Sequence, residues 1–129
     1  MKANINVIEK SVPFEFMGVT YPLKMTWNVL AEIAERFGSI GEALEDGGGQ
    51  MRNMLEVITL LINEAVETHN EENPDDMWVK IDSRYVGRHL GSSDIKRVSD
   101  SIIETVISSN PDSENEELTD DEKNEVPSR

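Results

Sequence analysis

Between residues 50 and 69 apolar side chains recur at helical spacing, and this stretch dictates most of what the chain can become. Met51, Met54, Leu55, Ile58, Leu61, Ile62, Ala65 and Val66 fall within one arc of a helical wheel, with Arg52, Glu56, Thr59 and Asn63 opposite. A helix this long must be covered by whatever else the chain supplies. Val57 and Leu60 lie outside the stripe, Leu60 nearly opposite its centre, so the pattern predicts apolar surface left over.

Covering elements come before and after it. Val12-Pro13-Phe14-Glu15-Phe16-Met17 alternates in polarity, Gly18 interrupts, and Val19-Thr20-Tyr21-Pro22-Leu23-Lys24-Met25 resumes. This predicts a β-hairpin turning at Met17-Gly18. Pro13 and Pro22 lack amide donors, so both strands should be short or lie at an edge. Residues 5–8 are a candidate third strand. Thr26 reads as a helix N-cap, followed by Trp27, Leu30, Ile33, Ala34 and Phe37 at helical spacing and Gly38 at the C-terminal stop. Ser39 and Glu42 form a capping-box pattern for a short helix to about Glu45. Residues 47–49 are a glycine triplet without the lysine and hydroxyl residue of a phosphate loop.

Past residue 67 the pattern thins. Residues 68–76 are polar and acidic and include Asn73-Pro74, which predicts a loop. An apolar patch follows at 77–81. Ser83 is the expected cap of a brief helix ending at Gly91. A last helix is expected from Ser92, Ser93 or Asp94, its core face being Ile95, Val98, Ile102, Ile103, Val106 and Ile107. Asn110-Pro111 stops it. Residues 110–129 carry only Leu118 and Val126 as apolar side chains, with eight acids against Lys123 and Arg129. That segment is predicted to be a disordered acidic tail. The expected fold is therefore mainly α with a small N-terminal β-hairpin (α+β): one domain over 1–109 and a tail over 110–129.

The net charge of −14 separates along the same line, −6 in the tail and −8 in the body. Such a charge repels phosphate, so neither nucleic acid nor an anionic membrane is the expected partner; a protein is. The chain has no cysteine, which excludes disulfides and thiolate metal sites. No secretory leader or membrane span is legible, which predicts a cytosolic protein.

The sequence does not read as an enzyme. There is no nucleophile elbow, dinucleotide fingerprint or cysteine nucleophile. His69 and His89 belong to no zinc-binding unit. Glu71, Glu72, Asp75 and Asp76 lack the glycine and spacing of a calcium loop, so neither metal nor cofactor is expected. Five of the twelve basic residues lie between 80 and 97, and Arg84 and Arg88 share a helical face. They are a candidate docking patch for an acidic partner, or for the acidic segment of another copy. Val57, Leu60, Met77 and Trp78 are candidate exposed apolar contacts, and methionines at 51, 54 and 77 suit adaptable recognition.

The hairpin over 12–25 leads into Thr26-x-x-x-Leu30-x-Glu32-Ile33-x-Glu35-x-Phe37-Gly38, then Arg52-x-x-x-Glu56-x-x-x-x-Leu61-Ile62-Asn63-Glu64. In order and spacing this resembles the tail assembly chaperones of long-tailed, siphovirus-type bacteriophages and prophages. It covers residues 12–66 closely and 67–109 as a general helical continuation; the acidic stretch 67–76 and the Trp78 patch lie outside the pattern. The resemblance implies a cytoplasmic factor, absent from the mature virion and often oligomeric. It would coat the helical tape-measure protein until tail tube protein polymerises around it. Many such proteins exist in a short and a frameshift-extended form, and an acidic tail suits the short one. The partner-binding residues expected on this reading are Val57, Leu60, Met77, Trp78, Arg84 and Arg88. The alternative from another class is an acidic DNA mimic that inhibits a host DNA-binding enzyme. A structural tail component, such as a tube or terminator protein, is the third option.

Overall fold

The computed structural model describes residues 11–45 and 50–108. Along them run β1 (Val12–Phe16), β2 (Val19–Leu23), α1 (Trp27–Phe37), α2 (Ile40–Glu45), α3 (Gln50–Glu72), α4 (Ser83–Arg88), a 3-10 turn (Ser92–Asp94) and α5 (Ile95–Ser108). The mainly helical fold with an N-terminal hairpin is the one expected. The candidate strand at 5–8, the glycine triplet and the 110–129 tail lie outside the described residues.

The hairpin turns at Met17-Gly18, with Phe16 opposite Val19. Both turn residues have positive φ, 54° and 82°. A two-residue turn of this kind matches the twist of the strands it joins. Pro13 stands directly opposite Pro22. Antiparallel pairs alternate between hydrogen-bonded and open. Counted from the bonded pair at the turn, the prolines fall at an open pair, where neither strand needs an amide donor. Val12, Phe14, Phe16, Tyr21 and Leu23 face inward, and Pro13, Glu15, Thr20 and Pro22 face water. β2 packs against α3 and β1 against α5.

α1 begins at Thr26, whose hydroxyl accepts the Val29 N–H at 3.2 Å and donates to Glu64 of α3 at 2.8 Å. The capping residue thus also sets the helix's rotation, turning Val29 and Ile33 into the core. Trp27, Leu30 and Ala34, expected on the inner face, point outward, Trp27 almost wholly exposed. Gly38 ends α1 at φ 93°. Ser39 then caps α2 by accepting the Glu42 N–H.

α3 is the central element. The hairpin, α1, α2, α4 and α5 all pack on it, so its buried arc widens to about 200° at 100° per residue. Val57, expected at the surface, is fully buried within that arc, and Thr59, expected on the polar side, is buried with its hydroxyl donating to the Leu55 carbonyl at 2.8 Å. α3 also runs to Glu72, consuming the start of the expected loop. What stops it is Pro74, which disfavours helical backbone at Asn73; the Asn73 side chain and N–H both bond the His69 carbonyl.

After α3 the chain runs back along the helix through 77–81 in an extended path that is not a strand. Asp82, rather than Ser83, caps α4, accepting the Tyr85 N–H at 2.8 Å, and the helix ends at Arg88, not Gly91. α5 buries Val98, Ser101, Ile102 and Thr105, the Thr105 hydroxyl donating to the Ser101 carbonyl. Ile95, Ile103 and Ile107, expected in the core, are 40%, 46% and 37% exposed. The inner face of α5 is set by β1: Arg97 lies over the Phe14 ring at 4.4 Å and donates to the Glu15 carbonyl at 2.9 Å. With the helix so placed, Val98, Ser101, Ile102 and Thr105 turn inward and Ile95, Ile103 and Ile107 remain outside.

Candidate functional site

The first half of α3, α4 with the turn after it, and the start of α5 enclose an apolar groove of about 310 Å³. Its apolar walls are Met51, Met54, Leu55, Leu90, Ile95 and Val98. Met54 and Val98 belong to the core, whereas Met51 is 59% exposed and Ile95 40%. The groove is therefore a place where the core reaches the surface.

α4 comes close to α3 at Gly87: a β-carbon there would stand 2.9 Å from the Leu55 Cδ2, a side-chain methyl that would have to turn aside. Gly91 and Asp94 close the end: the Asp94 carboxylate accepts the Gly91 N–H at 2.8 Å and an Arg97 N–H at 3.2 Å. The Gly91 amide first, then Arg97, hold the Asp94 carboxyl below the usual carboxylate range. The one acid in the wall is thus already partnered.

The rim is basic. Residues 83–93 contain Arg84 and Arg88 and no acid. Both arginines are exposed, as is Arg52 beside Met51, and none of the three has an ion-pair partner among the described residues. By contrast Arg36 pairs with Glu32 and Glu56, Lys80 with Glu67 and Lys96 with Asp100. Those carboxylates hold both lysines above the ordinary lysine range, the hydrogen bond being the larger cause in each case.

Of the residues expected to contact a partner, Arg84 and Arg88 are exposed on α4 and do not line the groove, although Arg88 stands between the wall residues Gly87 and Leu90 in the chain. Val57 has no surface to present. Leu60 is half-buried in a separate polar cleft between α1 and α3, among Glu32, Arg36, Glu64 and Lys80. Met77 and Trp78 sit by the C-terminal end of α3; the rise from Met51 to Asn70, which holds Trp78, is about 28 Å. Met77 is 63% exposed, but Trp78 is half-buried, stacked on His69 with ring centroids 3.6 Å apart and set edge-on to Tyr21 at 5.3 Å. Burial, and then Tyr85, push the Tyr21 phenol above the usual tyrosine range.

Of the groove walls, Met51 and Met54 were legible as adaptable contacts; Leu55 and Ile95 read only as core positions, and Leu90 carried no signal. The available signal was an excess: α5 offers more isoleucines than one buried face accommodates.

Both His69 ring nitrogens are engaged, one 2.8 Å from the Asp76 carbonyl and the other 3.4 Å from the Asn73 amide. Among the described residues no group of three or more His, Cys, Asp or Glu converges as a metal site requires, and no helix is long and apolar enough to cross a membrane. No family model, no curated protein and no solved structure matches the chain.

Proposed function

We propose that this protein is a tail assembly chaperone of a long-tailed phage or prophage, a cytoplasmic holding factor that binds helices of the tape-measure protein. The groove between α3, α4 and α5 is the client site. A single observation carries the reading: apolar core side chains open to the surface next in the chain to exposed arginines, and Arg52, Arg84 and Arg88 have no ion-pair partner among the described residues of a chain of net charge −14. An amphipathic helix enters such a groove with two or three apolar anchors one turn apart. Acids flanking those anchors meet the arginines. Met51 and Met54 give the walls adaptability, because an unbranched thioether fills differently shaped gaps at little cost. The exposed Ile103 and Ile107 on α5 give neighbouring copies a surface on which to assemble.

The order of elements from the hairpin through α3 supports the same assignment, as does the acidity that keeps a loaded complex dispersed. The DNA-mimic reading gains no comparable support. The acids in the α1–α3 cleft are interleaved with Arg36 and Lys80 instead of forming an uninterrupted row.

Co-expression with overlapping fragments of the tape-measure protein from the same genome tests the proposal. Helical fragments bearing acids beside their apolar stripe should co-purify and remain soluble. Recovery of every fragment in the pellet, with the chain alone in the supernatant, would refute it. Presence of the chain in purified virions would favour a structural tail component instead.

A further inference from the structure

The groove has apolar walls, with the exposed Arg52 and Arg88 next in the chain to wall residues, and this chain itself contains a segment of the complementary kind. Residues 114–122 read Glu-Asn-Glu-Glu-Leu-Thr-Asp-Asp-Glu, one leucine with three acids before it and three after. We propose that this segment of the same molecule docks in the groove, with Leu118 against Met51, Leu55, Leu90 and Ile95 and its acids on Arg52, Arg84 and Arg88. The contact rests on the groove being a binding surface, the reading given above, but not on the identity of the client.

Three observations select this occupant. The first is charge: the exposed Arg52, Arg84 and Arg88 have no ion-pair partner among the described residues, while residues 110–129 carry a net −6. The second is reach. α5 spans 95–108, about 20 Å, with its first residue in the groove wall. Leu118 lies ten residues past Ser108, and ten extended residues cover about 33–36 Å, enough to return along the helix. The third is apolar economy: Leu118 is the only large apolar side chain between Pro111 and Val126.

Tethering favours the same molecule over another copy, since sites joined by about ten residues meet at an effective concentration in the mM range. A contact too weak to form between separate chains at micromolar concentration is then still populated. The docked tail occupies the place a client helix needs, so a client must displace it. A weak, salt-sensitive tether covers the apolar walls until a tighter ligand arrives.

The chain lacks cysteine, so Thr119→Cys in the full-length protein offers a single attachment point for a nitroxide. Methionine-methyl spectra then report on the groove through Met51 and Met54, with Met77 at the far end of α3 as the internal reference. The expected result is loss of more than half the Met51 signal and little change at Met77. The loss should disappear on adding Leu118→Asp or the pair Arg84→Glu and Arg88→Glu, and in about 0.5 M NaCl, where the Debye length falls to roughly 4 Å. Equal Met51 and Met77 intensities with and without the label would overturn the proposal. So would loss seen only when spin-labelled and isotope-labelled chains are mixed, which would place the contact between copies. Absence of the tail contact with fragment capture intact removes only this inference; a tail contact without capture removes only the client assignment.

Discussion

Asn63 and Asn70 stand seven residues apart on α3, and each clamps both backbone groups of one residue in the chain that runs back along the helix. The Asn63 amide donates to the Ile81 carbonyl at 2.6 Å and its carbonyl accepts the Ile81 N–H at 2.9 Å; Asn70 does the same for Trp78 at 3.0 and 2.7 Å. The spacing is matched: seven helical residues rise about 10.5 Å and three extended residues about 10 Å. In a segment without a strand partner, the backbone groups of Trp78 and Ile81 are thereby satisfied by two side chains. This clamp fixes where α4 begins, and so where one wall of the groove stands.

Replacing either asparagine with alanine leaves a part-buried donor and acceptor bare. Asn63→Ala and Asn70→Ala should each lower stability by about 1–2 kcal/mol, read from urea midpoints at unchanged slope. Hydrogen exchange should quicken at the Trp78 amide in Asn70→Ala and at the Ile81 amide in Asn63→Ala. Unchanged protection at both would show that the clamps carry no weight.

Two backbone positions make opposite predictions. Gly38 has φ 93° and ψ −50°, a conformation side chains resist, and an added β-carbon would also run into the Glu42 carboxylate. Gly38→Ala should therefore cost roughly 1–3 kcal/mol. Met17 has φ 54° in a turn that favours asparagine followed by glycine, and Gly18 already supplies the second residue. Met17→Asn should stabilise by up to about 1 kcal/mol. Thermal melts of the two variants should move in opposite directions.

The Asp94 carboxyl sits below its ordinary range because the Gly91 amide and Arg97 favour its charged form. A carboxyl lowered in the folded state contributes stability that is present above the unfolded value, near pH 4, and is lost as pH falls through the lower folded value. Asp94→Asn should therefore flatten part of the decline in urea midpoint below about pH 4. An acid limb identical to that of the parent protein would contradict this role.

Much of the scaffold was legible because local chemistry decided it. The Met17-Gly18 turn, the caps at Thr26 and Ser39 and the stop at Gly38 are each set by one or two residues and their neighbours. Long-range packing decided the rest. Val57 is buried because partners flank α3 on several sides, which no single-helix period encodes. Ile95, Ile103 and Ile107 stay outside because the Arg97 contacts to Phe14 and Glu15, 82 residues away for the Glu15 hydrogen bond, set the rotation of α5. The arginines were legible as a patch; the groove beside them depends on how close α4 comes to α3 at Gly87.

The role of the groove is tested most directly by titrating a captured tape-measure helix into the Ile95→Asp protein and, in parallel, into Met77→Asp. Both positions are substantially exposed, so both variants should fold like the parent. Ile95→Asp should weaken binding at least tenfold, about 1.4 kcal/mol, while Met77→Asp binds as the parent does. Undiminished affinity in Ile95→Asp, or a loss confined to Met77→Asp, would place the client elsewhere on the molecule.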